Sequence, residues 1–337
     1  MNEALARYLA GRLGAPDLSV HDLARIPGGA SRETYRFRAR YSKDGATVER
    51  KLILRRDPPA SLIETERSTE YRAYEAFHRL GLPVPEPIAL ELGNDALERP
   101  FFVMAEIENA QVGSILAPDP YGAHRDRIGT QFFTILGRIA GADPGALGLA
   151  DFDGAGALDT RWQHEVARWE KVIDDDESEP QPIARGALSW LKRNPPPPAQ
   201  KLSVVHGDYR SGNFLYDGAG DIKAILDWEM AHLGDPLEDL AWALDPLWAH
   251  HDPSHPAGTL ARDDAIRTWE QASGLTADPQ ALAWWEIFAG VKGCAIWISA
   301  AHEYATRRND DPVNAFSGWY CLAYHNQVLA NRLEALA

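Results

Sequence analysis

The sequence predicts an α+β protein in two parts, a strand-rich first third followed by a helical remainder, and three observations predict it. Tyr35, Phe37, Ala39 and Tyr41 alternate with charged residues, and Leu52 and Leu54 share one face of a run ending at Arg56, the period-2 pattern of half-buried strands. Beyond residue 120 apolar residues recur at helical spacing instead, as in Ile128, Phe132, Ile135, Leu136 and Ile139. At 337 residues the chain is long enough for one large domain or for two lobes flanking a cleft.

In chain order, Leu5, Leu9 and Leu13 predict a helix over 2–13, and 18–26 reads as a strand. Pro27 to Thr34, PGGASRET, turns into the next strand and has two readings. It is a plain hairpin turn, or a small-residue loop whose backbone N–H groups, with the Ser31 and Thr34 hydroxyls, meet phosphate oxygens. No Gly-Lys-Ser/Thr follows, so it is not a Walker-type loop. A strand over 48–56 leads to a helix over 62–80, where Glu66 and Glu70 stand at i and i+4. Val84-Pro85-Glu86-Pro87 is extended, and Phe101 to Ile107 is a short apolar strand. Helices follow over 121–140, 160–173 and 183–193. The acidic stretch Asp174 to Pro182 reads as a solvated loop or as a lid, and Pro195 to Pro198 as a stiff connector. Helices over 237–244, 264–274, 282–304 and 312–336 complete the chain.

Composition narrows the partners. A hydrophobic content of 45% with 25% charged residues is that of an ordinary globular protein. A net charge of −15 argues against nucleic acid, which needs a basic face, and permits a cationic small molecule without requiring one. The eleven tryptophans are expected in the core and in pocket walls. Cys294 and Cys321 lie in apolar helical segments and have neither a disulfide framework nor metal-cluster spacing. No stretch is expected to span a bilayer, and the first residues lack the basic start and apolar run of a signal peptide. The expectation is a cytoplasmic protein.

The most informative stretch is Val204 to Trp228, VVHGDYRSGNFLYDGAGDIKAILDW. Two strand-like runs bracket a polar loop that carries Asp208 and, five positions on, Asn213, while Asp227 ends the second run. A carboxylate, an amide and a second carboxylate in this order are the parts phosphoryl transfer uses. One group meets the acceptor hydroxyl, and two hard oxygen ligands hold Mg²⁺ against the nucleotide phosphates. Singly, each has an ordinary reading: a loop cap, a turn beside Gly212, a helix cap, and for His206 a satisfied core histidine.

HGDYRSGNFLYD followed by ILDWEMAHLGDPLEDLAW resembles the aminoglycoside phosphotransferase and choline kinase-like family, and within it the branch related to the kinase-like domain fused to some acyl-CoA dehydrogenases. The resemblance runs from about residue 20 to the C-terminal helices. It implies a protein-kinase-like two-lobed fold, with a small antiparallel-sheet lobe over 1–107 binding nucleotide and a larger, mostly helical lobe over 108–337 for catalysis and acceptor binding. It implies ATP or GTP as co-substrate, Mg²⁺, and a small hydroxyl-bearing acceptor, with no nucleic acid and no membrane as partner.

Carried over residue by residue, the resemblance makes Asp208 catalytic and Asn213 and Asp227 the metal ligands, while Arg210, two positions past Asp208, is a catalytic candidate that contacts either the incoming phosphoryl group or only neighbouring carboxylates. Gly28, Gly29, Ser31 and Thr34 would cover the phosphates. Arg55, with Arg56 as fallback, stands where the family has Lys, and Glu70 would pair with it. Met104 would be a wall of the adenine site, with Glu106 and Ile107 giving backbone contacts. Asp239 would brace the catalytic loop and His206 would fix it. Trp284, Trp285, Trp297, His302, Glu303 and Tyr304 fall where acceptors bind in relatives. The acceptor stays open among antibiotics, amino alcohols, sugars and hydroxyacyl thioesters. The rival reading is a nucleotide-binding regulator without turnover; arginine in the lysine position favours it, and retention of Asp208, Asn213 and Asp227 opposes it.

Overall fold

A computed structural model of the chain describes residues 1–26, 33–57, 67–93, 95–114, 116–152 and 158–336. In chain order the elements are α1 (Asn2–Leu13), β1 (Ser19–Arg25), β2 (Glu33–Lys43), β3 (Ala46–Arg56), α2 (Arg67–Arg79), β4 (Pro87–Glu91), β5 (Phe101–Ala105), β6 (Ala110–Val112), α3 (Arg125–Gly141), α4 (Arg161–Asp176) and α5 (Pro182–Arg193). They continue with β7 (Ser203–Val205), β8 (Phe214–Asp217), β9 (Ile222–Ile225), β10 (His232–Gly234), α6 (Leu237–Ala243), α7 (Arg262–Ser273), α8 (Pro279–Ala305), α9 (Pro312–Phe316) and α10 (Leu322–Glu334). The chain divides into two compact units, Met1–Ala110 with Lys223–Glu229, and Gln111–Ile222 with Met230–Ala337.

The first unit is built on a five-stranded antiparallel sheet of order β1-β2-β3-β5-β4. The predicted alternation is what assembles it: Phe37, Ala39, Leu52, Leu54, Phe101 and Val103 face one core, onto which α1 lays Leu5 and Leu9. Burying each of the Phe, Leu and Val side chains stabilises by roughly 1.5–3 kcal/mol. The register sets Arg55 across from Thr34 on one side and Phe102 on the other. On α2, Glu70, Ala73, Tyr74 and Phe77 stand at i, i+3, i+4 and i+7 and are all buried, so a carboxylate occupies a stripe that amphipathicity reserves for apolar groups. The return segment Lys223–Glu229 joins this unit by stacking Trp228 on Phe77 of α2, ring centroids 4.5 Å apart, and by the Ile225 N–H donating to the Pro83 carbonyl at 2.8 Å.

The second unit gathers its helices around α8, which buries Trp284, Trp285, Ile287, Phe288 and Val291. No spanning stretch was expected. By length and composition, however, this 27-residue helix passes as one over its most apolar 18 residues. Since 78% of that window is buried inside the protein, we read it as the core helix. Two further expectations are corrected. Helix α4 runs on to Asp176, into the acidic stretch read as a loop, and Arg185 of α5 offsets the carboxylates at that helix end by pairing with Asp174 at 2.5 Å and with Glu177. The single helix expected over 312–336 is α9 and α10 joined by a π-helical turn, Ser317–Cys321. There Gly318 lies so close to α8 that a Cβ on it would meet the Ala301 Cβ at 2.5 Å.

Candidate active site

In the first unit one guanidinium gathers two of the predicted residues. Arg55 Nη1 donates to Glu70 Oε1 at 2.6 Å and to Asp227 Oδ1 at 2.7 Å. Burial disfavours the charged guanidinium, but Glu70 and then Asp227 more than compensate and hold its pKa well above the ordinary arginine value. Asp227 adopts a left-handed backbone (φ +60°), which aspartate tolerates better than most side chains, and its N–H donates to the Tyr74 hydroxyl at 3.1 Å. Arg56, the fallback, is turned to Glu33 instead, its Nη2 2.6 Å from Oε2. Thr34 stands across the ladder from Arg55. Gly28, Gly29 and Ser31 lie outside the described residues, as does Glu66. Met104 is buried at the end of β5. The Glu106 N–H donates to the Lys51 carbonyl at 3.0 Å, so it cannot also serve a ligand; of the backbone contacts expected at Glu106, only its carbonyl is left. Ile107 follows as a half-buried residue with no regular element.

In the second unit the loop after β7 converges on Asp208. Its Oδ1 accepts from Trp242 Nε1 at 2.8 Å and from Arg210 Nε at 3.0 Å, and its Oδ2 accepts from Asn213 Nδ2 at 2.6 Å and from Arg210 Nε at 3.2 Å. Asn213 Nδ2 also donates to the Asp208 carbonyl at 3.0 Å. Both contacts use the nitrogen of the Asn213 amide, so the oxygen is the end this side chain has for another partner. The loop is held from beneath. Asp239 Oδ2 accepts from the His206 N–H at 2.6 Å and Oδ1 from the Gly207 N–H at 3.0 Å, while His206 Nδ1 accepts from the Asp208 N–H at 3.1 Å. Burial raises the Asp239 carboxyl to about 6 despite these donors. Gly207 is a residue only glycine can be: φ is +84°, and a Cβ would meet the Met230 carbonyl oxygen at 2.4 Å.

Beneath the loop lies an ionic cluster that sequence reasoning missed. Lys292, the lone cation in the apolar middle of α8, donates to the Gly207 carbonyl at 2.6 Å and to Glu238 Oε1 at 3.0 Å. His232 Nε2 is 3.0 Å from Glu238 Oε2 and 3.8 Å from Glu165 Oε1. Burial opposes the imidazolium, but Glu165 and Glu238 raise His232 to about 9. Glu165, His232 and Glu238 bring their ligand-type atoms within 4.8 Å of one another, a spacing that could suit a metal ion. An imidazolium has no lone pair to offer, and the Lys292 ammonium already faces Glu238, so the cluster is balanced by its own cations. A charged residue alone in an apolar helical run was the available signal for Lys292. Nothing in the sequence marked Trp242 as the donor to Asp208. The residues expected near the acceptor divide: Trp284 and Trp285 are core, Trp297 Nε1 donates to His325 Nδ1 at 2.8 Å, and Tyr304 is exposed. His302 and Glu303 are half-buried towards the end of α8.

The sequence profile of the phosphotransferase enzyme family matches residues 22–275, well over half of the chain. The chain belongs to this family. Among curated proteins, this family member is similar to acyl-CoA dehydrogenase family member 10 of Mus musculus, 28% identical over 244 residues (72% of this chain, 22% of that protein). It is also similar to family member 11 of Homo sapiens, 25% identical over 272 residues (79% of this chain, 33% of that protein). The chain thus spans between about a fifth and a third of the length of these relatives. Viomycin phosphotransferase of Streptomyces vinaceus is 28% identical over 169 residues, 48% of this chain and 55% of that protein. A candidate aminoglycoside phosphotransferase from Ralstonia eutropha shares the fold at a TM-score of 0.76 and 20% identity, covering 98% of both chains. So does a thermostable mutant of the aminoglycoside phosphotransferase APH(4)-Ia, solved with AMP-PNP and hygromycin B, at a TM-score of 0.60 and 19% identity over 99% of both. The family resemblance drawn from HGDYRSGNFLYD, and the α+β kinase-like fold it implied, are borne out.

Proposed function

We propose that this phosphotransferase moves the γ-phosphoryl group of ATP, or of GTP, to a hydroxyl of a small molecule. The observation that carries the reading is the Asp208 carboxylate held by three donor side chains at once, Trp242, Arg210 and Asn213. A carboxylate fixed so firmly is suited to aligning an acceptor hydroxyl and receiving its proton. Alignment matters most where the transition state is loose and positioning supplies much of the rate. Arg55, oriented by Glu70, would hold nucleotide phosphates, because a guanidinium matches their oxygens with paired N–H groups. The Asn213 amide oxygen in one unit and the Asp227 carboxylate in the other are each a hard donor of the kind Mg²⁺ takes, and a bound ion would offset charge on the phosphate oxygens.

Relatives support the nucleotide and leave the acceptor wide. Solved neighbours include one bound to AMP-PNP and hygromycin B and a macrolide 2′-phosphotransferase, and another relative is viomycin phosphotransferase. The reading without turnover loses its main support, since Arg55 makes the carboxylate pair expected of the lysine it replaces. The test is a pair of variants assayed with Mg·ATP and a panel of hydroxyl compounds by ³¹P NMR. Asp208→Ala should lower transfer at least about 10²-fold while leaving nucleotide affinity within about twofold, whereas Asp227→Ala should weaken Mg·ATP binding itself. Normal turnover by Asp208→Ala would remove the assignment.

A further inference from the structure

A second site adjoins the catalytic loop within the helical unit. An open-sided cavity, about 20 Å³ in volume, is lined by, among others, Arg125, Ser211, Trp248, His250, His251 and Asp252. It is joined to Asp208 by direct contacts. Arg210, whose Nε meets both Asp208 oxygens, places its guanidinium 4.7 Å from the centre of the Trp248 ring, and Ser211 Oγ donates to the Trp248 carbonyl at 3.1 Å. The indole that supports Arg210 is therefore also a wall of the cavity.

The lining has donors in want of acceptors. Among the described residues, Arg125 Nε and Trp248 Nε1 are buried and have no hydrogen-bond partner. A buried donor left unpaired is costly, and such groups usually have a partner. The carboxylate of Asp252 is already engaged, by His255 at 2.7 Å, by the Ser254 hydroxyl at 2.5 Å and by Arg125 Nη2 at 3.7 Å. His251 Nε2 meets the Leu116 carbonyl at 3.1 Å, and its ring lies 4.2 Å from that of His250. An ammonium-bearing occupant would find one carboxylate here, already paired; an oxyanion would find the unpartnered Arg125 Nε and the Trp248 indole N–H. The protein's net charge of −15 does not decide the matter, because a ligand reads the local groups.

We propose that this cavity is the subsite for the non-reacting end of the acceptor, and that this end is an oxyanion, a carboxylate or a phosphate. The acceptor class is then a hydroxy acid or a hydroxyl-bearing phosphomonoester rather than an amino alcohol. The proposal rests on the phosphotransfer reading above, which it deepens. Arg125 and Trp248 set specificity here, and neither touches the reacting atoms.

The experiment compares short hydroxycarboxylates with their methyl esters, a sugar monophosphate with its parent sugar, and choline, all assayed with Mg·ATP on the wild type, Arg125→Ala and Trp248→Phe. Wild type should favour an anionic acceptor over its neutral counterpart by about tenfold or more in kcat/KM. Arg125→Ala should bring that ratio towards parity through KM, with KM for Mg·ATP unmoved. Trp248→Phe keeps a ring under Arg210 and should lose about threefold to tenfold, the size of one hydrogen bond. The acid and phosphate arms tell the two oxyanion sources apart. Equal or better use of esters or choline, an undiminished ratio in Arg125→Ala, or no turnover of any anionic compound by protein that binds Mg·ATP overturns this proposal alone. Failure to bind Mg·ATP, read by tryptophan fluorescence, overturns the phosphotransfer reading and this one with it.

Discussion

The Arg55 cluster of the first unit and the Lys292 cluster of the second are built from the same parts, a buried cation set among carboxylates. They differ in what reaches water. Around Arg55, Glu70 is fully buried but the Asp227 side chain keeps 41% of its surface exposed. Around Lys292, Glu165, His232 and Glu238 are each at most 2% exposed, and the ammonium also meets a backbone carbonyl of the catalytic loop and the faces of Trp169 and Trp242. A cluster with one wet carboxylate can exchange partners with a ligand, while a closed one can only hold its neighbours. Charge alone does not mark a binding site; charge with an open side does. On the function proposed above, the first cluster would take phosphate and metal, while the second fixes Gly207, one residue before Asp208.

The sharpest way to break the comparison is to remove the cation from the closed cluster. Lys292→Met leaves two buried carboxylates facing one imidazolium and frees the Gly207 carbonyl. Taking one partner from a buried ionic set costs about 3–5 kcal/mol, so urea unfolding should show a loss of that size. Adding Glu238→Gln should recover a good part of it, since the pair left behind is again neutral. In the folded fraction kcat should fall while KM for nucleotide holds. A loss under about 1 kcal/mol would mean that the four groups are not balanced as described.

Titration probes the closed cluster through its imidazole. The fold raises His232 to about 9, above the ordinary 6.5, because it favours the imidazolium. The stability this confers is complete below pH 6.5 and is lost as pH rises towards 9, up to about 3 kcal/mol. Asp235 and Asp239 titrate in a separate window. Burial raises each from 3.8 to about 6, so their neutral forms are favoured, and their contribution is lost as pH rises between those values. The melting temperature should therefore decline above pH 6.5 in the wild type and run flatter in His232→Gln. Equal slopes would place the imidazole outside the network.

Which of these features were legible in the sequence follows from what each depends on. The sheet was, because Phe37, Ala39, Leu52 and Leu54 carry a period-2 pattern that one buried face enforces. The Arg55–Glu70 pair was legible through family spacing, and the proximity of Asp208 and Asn213 through their order on one loop. Trp242 was not, since its contact with Asp208 spans 34 residues and a tryptophan in an apolar helix looks like core. The π turn after Phe316 was hidden for a related reason: the close approach is between Gly318 and Ala301 of α8, and 317–321 read locally as ordinary helix. The oxyanion cavity draws on residues from 114 to 258 and has no linear signature. Local pattern encodes which face is buried; it does not encode which distant side chain completes a hydrogen bond.

The smallest effect is the most discriminating for the open cluster. Arg55→Lys restores the residue type the family pattern calls for and keeps the charge. It also removes a buried Nε that has no hydrogen-bond partner among the described residues. Against this, arginine meets both carboxylates through one nitrogen, at 2.6 and 2.7 Å, and the shorter lysine has to choose its distance to each. Since one hydrogen bond to a charged group is at stake and one orphan donor is relieved, stability should change by no more than about 1 kcal/mol. Nucleotide affinity should weaken by up to about tenfold, as the paired N–H grip on phosphate is replaced by a point charge. Fluorescence titration with Mg·ATP and a thermal melt measure the two quantities on one sample. Loss of more than about 3 kcal/mol would show that Arg55 serves the fold before it serves a ligand, and the contrast between an open cluster and a closed one would no longer hold.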